Sequence, residues 1–348
     1  LGEMGQKAKT AVIFSDIPQT MVEQKLAEGR IAPCGPVEEL TNAAIRSTTN
    51  LVAQMGVEPI ISALEQGAQI VLAGRAYDPA AFAAYPIMNG FNPALALHMG
   101  KILECAAIAA VPGSGSDCLL GTLKRDSFIL EALNSERECT PMSIAAHTLY
   151  EKSDPYWLPG PGGSLDLKNT TFKALDGGRV EVAGTKFVPT PQFAVKLEGA
   201  RPVGYRTVSI AGVRDPIMIS QIDSIITAVR QRVQDNFDDL KNYSMHFRLY
   251  GKNGVMGELE PTPVPVHELG IVIECVAETQ EVANTICGFA RSTLLHYGYP
   301  GRKSTAGNLA FPYSPSDLPA GQVFEFCVHH LMEVDDQEAV FQMEWRGE

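Results

Sequence analysis

Hydrophobic residues in the first third of the chain follow two alternating rhythms. KTAVIFS (9–15) and QIVLAG (69–74) are short apolar runs of the kind that form buried strands. Between them, QTMVEQKLAEG (19–29) and EPIISALEQG (58–67) carry apolar positions at helical spacing and end on a glycine. This alternation predicts a parallel sheet covered by helices. Two strands are few for such a lobe, so the sheet is expected to be either small or completed by chain ahead of Leu1.

From residue 153 to 200 the pattern shortens and becomes rich in turns. SDPYWLPGPGGSLDL predicts a Pro/Gly loop, and RVEVAGTKFV and FAVKLEGA predict strands. The last third is the most regular. YRTVSIAGV predicts a strand, and Ile222, Ile225, Ile226, Val229 and Val233 then recur on one helical face behind Pro216. SMHFRLY and LGIVIECVA predict two strands, Val282, Ile286, Phe289 and Thr293 mark a second helix, and QVFEFCVHHLMEV predicts a closing strand. The order is β-α-β-β-α-β, which is ferredoxin-like. The expected fold class is therefore α/β plus α+β. A partial α/β lobe spans 1–152, a β-rich segment 153–200, and a ferredoxin-like domain 201–348.

Strand alternation adds a face assignment. Met245, Phe247 and Leu249 should lie with Phe324, Phe326 and Val328 beneath the two helices. His246, Arg248, Tyr250, Glu274, Glu325, His329 and Glu333 should share the opposite, polar face. That face is expected to be wet, or else to dock against the first lobe or another subunit.

Composition narrows the function. Lysine plus arginine number 28 and aspartate plus glutamate 40, giving a formal charge of −12. A general positive field for nucleic acid or an anionic membrane is thereby excluded, and an anionic substrate must meet local cations. The seven cysteines are scattered in apolar runs, the usage of a reducing compartment, so a cytoplasmic protein is expected. No CxxC or HExxH pair occurs, which predicts no metal, and no stretch reaches the roughly 18–20 apolar residues of a membrane helix.

Several phrases resemble one family: GRAYDPAAFAA (74–84), LHMGKILECAA (97–107), HELGIVIECVAETQEVANT (267–285) and RSTLLHYGYPGRKSTAGNLAFPYSPSD (291–317). Together they are similar to the acyclic terpene utilisation, AtuA-like family across essentially the whole chain. The resemblance implies catabolism of terpenoid or branched acids, but no settled reaction and no catalytic residues to carry over. It also implies a further N-terminal α/β segment and often a small C-terminal domain or partner polypeptide.

Three loops carry candidate chemistry. In GRAYDP, Asp78 and Pro79 suit an N-cap and first helical residue, which places Arg75 at the carboxyl end of a parallel strand. Its guanidinium suits a substrate carboxylate or phosphate; equally, it can pair with Asp78 and stabilise the turn. In VPGSGSDC, the loop of Ser114 and Ser116 can form an anion nest, or a tight turn closed by Asp117. GYPGRKSTAGN has Arg302 where a phosphate-binding loop has glycine, so the nucleotide assignment fails. Its donors Arg302, Lys303, Ser304, Thr305 and Asn308 remain a substrate-binding candidate.

For proton transfer the candidates are His147, near the glycine loop, Glu104 in an apolar helix, and Asp117. With no nucleotide, metal or nucleophile-elbow motif, the expected activity needs no cofactor. It is hydration, dehydration or isomerisation of a small carboxylate or acyl substrate by a homo-oligomer. The alternatives are a serine hydrolase with a dispersed triad and a non-catalytic subunit that docks a small partner protein.

Overall fold

The computed structural model describes residues 7–262, 264–303, 308–337 and 339–347. The fold is a mixed α/β one with several sheets, and the chain divides into two compact units, Leu1–Ala200 with Phe326–Glu348, and Arg201–Glu325.

In the first unit Thr10–Ile13 pairs in parallel with Ile70–Ala73, as the two apolar runs predict, and antiparallel with Met343–Arg346. The helices Gln19–Ala27 and Glu58–Glu65 lie between those strands in sequence and pack Val22, Ile60 and Ala63 into the same core as Ala11 and Ile13. Asn50–Gln54 escaped the sequence pattern because it is short and mixed; it runs antiparallel to the strand Ala194–Val213, with Gln54 opposite Lys196. A four-stranded antiparallel sheet follows, ordered Leu119–Leu123, Ser127–Ala132, Arg179–Ala183, Thr171–Leu175.

The expected Pro/Gly loop is instead a hairpin, Trp157–Gly160 against Gly163–Asp166. Pro161 and Gly162 occupy its two turn positions, and Gly162 has φ +74°, a left-handed value that glycine adopts without steric cost. Gly160 is needed for a different reason: a Cβ there would come within 2.9 Å of the Tyr77 ring, so the hairpin and the GRAYDP turn touch backbone to ring.

The helix Pro93–Leu103 threads between these layers, and every residue from Ala94 to Ile102 is buried. His98 is fully buried on it, with Nδ1 2.8 Å from the Thr185 hydroxyl and Nε2 3.0 Å from that of Thr148. Thr148 gives its own proton to the Ile144 carbonyl at 2.9 Å, so it accepts from Nε2–H. The Thr185 hydroxyl then donates to Nδ1, while the Thr170 hydroxyl lies 3.0 Å from it. Burial holds the ring neutral, with its pKa pushed down to about 3.

In the second unit the helix Ile222–Asn236 buries Ile222, Ile225, Ile226, Val229 and Val233, the five positions its spacing indicates. The helix Gln280–His296 buries Ala283, Ile286, Cys287, Ala290 and Leu294, a face offset from the predicted one because small residues line it. Tyr243–Tyr250 pairs with Leu269–Ala277, which pairs with Ala194–Val213, which in turn neighbours Asp317–Glu333.

The face assignment needs correction. Met245 and Leu249 are buried under the helices, but Phe324 is 48% and Phe326 73% exposed, and Val328 belongs to the core of the first unit. Asp317–Glu333 is one long strand that serves both units, so alternation along it does not report a single covering layer. Of the polar set, Glu274 is buried between Arg206, at 2.7 Å, and Arg248.

Candidate functional site

The first unit contains a cavity of about 530 Å³, within the size range of small-molecule sites. The GRAYDP turn forms one wall. Gly74 packs so tightly on Ser15 that a Cβ would meet its hydroxyl at 2.6 Å, and Arg75 N–H donates to that hydroxyl at 2.8 Å. Met55 N–H donates to the Arg75 carbonyl at 3.1 Å, and Tyr77 N–H to the Met55 carbonyl at 2.9 Å, fixing the turn against its neighbour strand.

Arg75 aims its fork at Glu198, with Nε at 2.6 Å and Nη2 at 3.3 Å, and Nη1 lies 3.5 Å from Asp78. Lys196, two residues before Glu198 on the same strand face, completes the group at 2.7 Å. Burial works to raise the Glu198 carboxyl, but Arg75 and then Lys196 outweigh it and hold it below the usual range. Both uses considered for Arg75 therefore meet a fact: its bidentate face is spent inside the protein. Asp78 does not cap a helix, since that helix begins at Ala80 behind Pro79 and has no side-chain cap.

Glu104 ends the buried helix and forms an ion pair with Lys101 one turn earlier, both side chains under a tenth exposed. Burial first, and then a hydrogen bond to the Asp78 carboxyl, keep Glu104 above the usual carboxylate range against the pull of Lys101.

Lys152 arrives from another direction. The helix Pro141–Thr148 opens with a Thr140–Ser143 capping box, and three residues past its end Glu151, at φ +58°, is a left-handed residue that turns the chain into the cavity wall. Among the described residues Lys152 has no carboxylate partner, whereas Arg75, Lys101 and Lys196 each have one. Its ammonium lies 6.0 Å from the centre of the Tyr77 ring. Burial, and then the Lys101 charge, draw its pKa below that of an ordinary lysine. The Tyr77 hydroxyl, also without a hydrogen-bond partner among the described residues, is raised by burial and then by Glu104. Cys34 and His329 line the same cavity.

Of the residues singled out in sequence, Arg75, Asp78 and Glu104 thus meet in one place. His147 is buried behind it and does not line the cavity: its ring stacks on Tyr150 at 5.6 Å and its Nε2 has no partner among the described residues. Burial, and then Lys101, lower its pKa. Asp117 is committed to Arg137 at 3.0 Å and Asn134 at 3.0 Å. The Ser114 hydroxyl accepts from Ser116 N–H at 3.2 Å, and neither serine meets a histidine among the described residues.

The 302–308 candidates belong to the second unit. Arg302 donates to the Tyr297 carbonyl at 2.7 Å, closing a helix end, and Asn308 bonds Tyr299 and Asp215. Lys303 is exposed, and Ser304 and Thr305 lie outside the described residues. Among the described residues no group of three or more His, Cys, Asp or Glu side chains is placed to hold a metal ion. No described helix is long and apolar enough to cross a membrane.

The sequence missed Tyr77, Lys101, Lys152, Lys196 and Glu198. The charged pair inside the apolar run FAVKLEGA and the Lys101–Glu104 spacing of three were the available signals. No curated protein and no solved structure is detectably similar to this chain. The family model described as acyclic terpene utilisation family protein AtuA matches residues 1–113 and 126–319, and the chain belongs to that family.

Proposed function

We propose that this chain is an enzyme that binds a small carboxylate or acyl substrate in the 530 Å³ cavity and moves a proton on it, in a cofactor-independent hydration, dehydration or isomerisation. Membership of the family implies a role in acyclic terpene utilisation, and the reaction is inferred from the cavity. The observation that carries it is the Glu104 carboxyl, buried against Lys101, hydrogen-bonded to the exposed Asp78 carboxyl and facing the same space as an uncommitted ammonium, Lys152. Lys152 neutralises the substrate carboxylate, and the Lys101–Glu104 pair positions the acid. Glu104 in its protonated form gives a proton and takes it back as the carboxylate. Arg75 has a positioning role, holding Glu198 and the turn that carries Asp78 and Tyr77.

The strand order 243–250, 269–277, 194–213, 317–333, together with the two long helices Ile222–Asn236 and Gln280–His296, supports a ferredoxin-like assignment for the second unit.

Thermal melting with a panel of carboxylates and hydroxy acids tests the binding step. A ligand at about a hundred times its Kd stabilises the native state by about 2.7 kcal/mol. Lys152→Met should lose that stabilisation. Glu104→Gln should keep it and lose at least about a hundredfold in exchange of solvent deuterium into the bound ligand, followed by NMR. In the wild type, exchange limited by the acid form should fall as pH rises through the raised pKa of Glu104. Undiminished exchange in Glu104→Gln would remove Glu104 from the chemistry.

A further inference from the structure

A second cavity, of about 200 Å³, adjoins the first and shares two wall residues with it, Tyr77 and Pro161. Its remaining lining is Gly56, Val57, Glu58, Ile87, Pro93, Leu97 and Phe187. The one charged group among these is inward-bonded. Burial raises the Glu58 carboxyl, which still accepts the backbone N–H groups of Glu58 and Val57 and the side chain of Gln337. What this space offers a visitor is hydrocarbon surface.

From the shared wall we infer that the small cavity is the tail subsite of the larger one: a single ligand places its carboxylate among Lys152 and the Glu104–Asp78 pair and threads an aliphatic chain past Tyr77 and Pro161 into the space beside Leu97 and Phe187. This rests on the proposed function for the position of the head group and adds the substrate class, an acid with an apolar tail. Three features support it. The larger chamber carries charged side chains, Arg75, Asp78, Lys101, Glu104, Lys152 and Lys196 among them, whereas the smaller is lined chiefly by hydrocarbon, as an amphipathic ligand requires. The dividing ring is held by a close approach to Gly160, which leaves no side chain between Tyr77 and the hairpin. Tyr77 also presents both characters, with an unbonded hydroxyl on the polar side and ring carbon on the apolar side.

The test is a homologous series, acetate, butanoate, hexanoate and octanoate, titrated into the full chain by calorimetry. Each methylene that enters the apolar cavity should tighten binding about fourfold until the space is full. Leu97→Phe, which fills the space, should abolish the gain with length, and Leu97→Ala should extend it to longer acids; melting curves report whether each variant is folded. Equal affinities along the series, or a gain untouched in both Leu97 variants, would overturn the tail subsite while leaving the head site standing. If no acid of the series binds, the head-group assignment fails first and the tail subsite falls with it.

Discussion

Glu104→Ala is expected to destabilise the first unit by about 3–5 kcal/mol, the usual result of removing one partner from a buried ion pair. Lys101 is 4% exposed, and Glu104 is the carboxylate it pairs with, so the alanine variant strands an ammonium in a desolvated wall. Glu104→Gln should cost much less, because the amide can accept from Lys101 and donate to Asp78, the two contacts the carboxyl makes. The double variant Lys101→Met with Glu104→Leu should recover most of the loss, since well-packed apolar groups often replace a buried pair at no net cost. Urea unfolding followed by tryptophan fluorescence reads this cleanly: the two tryptophans, Trp157 and Trp345, both lie in the first unit. A single variant as stable as the wild type would mean that solvent screens the pair. A double variant no better than the single would locate the loss in packing rather than charge.

The same pair shows what the sequence disclosed and what it withheld. Glu104 stood out because a carboxylate inside an apolar helical run has few ways to be comfortable, and Arg75 and Asp78 stood out because GRAYDP follows a strand. Those are local signals. Lys152 and Lys196 line the cavity, and Glu198 reaches Arg75 beside it, because Lys196 falls opposite Gln54 in a register between strands far apart in sequence, and because Glu151 turns left-handed after a helix. Neither event leaves a mark in the residues nearby. Of the 302–308 donors, Arg302 closes a helix carboxyl end and Asn308 ties Tyr299 to Asp215, bonds that charge density alone does not disclose. The buried face of the helix Ile222–Asn236 was legible because isoleucine and valine mark it, although Pro216 opens a separate short helix, Pro216–Ser220, whereas alanine and cysteine leave the face of Gln280–His296 faint. Phe324 and Phe326 were misplaced because alternation tells which residues share a face and not whether anything covers it.

Stability should fall steeply on mild acidification, and His98 should account for about one proton of that dependence. Its ring is neutral in the folded protein down to about pH 3, while an unfolded histidine titrates near 6.5. Between those values the unfolded chain binds one proton that the native state refuses, so stability rises with pH there by about 1.4 kcal/mol per unit. The contribution is complete above 6.5 and is lost progressively as pH falls toward 3, a total of order 5 kcal/mol. His147, lowered by burial, adds to the wild-type slope in the same direction, so the informative quantity is the difference between wild type and His98→Gln. That difference should change by about one proton between pH 4.5 and 6 in urea unfolding. The His98 ring signal in NMR should not titrate across the same interval, a readout that does not depend on the variant folding. Thr185→Val should leave Nδ1 without its donor and cost about 1–3 kcal/mol at neutral pH, because a buried acceptor without a partner bears its full desolvation penalty. A ring that titrates near 6 in the folded protein would show that burial does not hold it neutral, and that the helix Pro93–Leu103, and with it Lys101 and Glu104, is more open to solvent than its burial indicates.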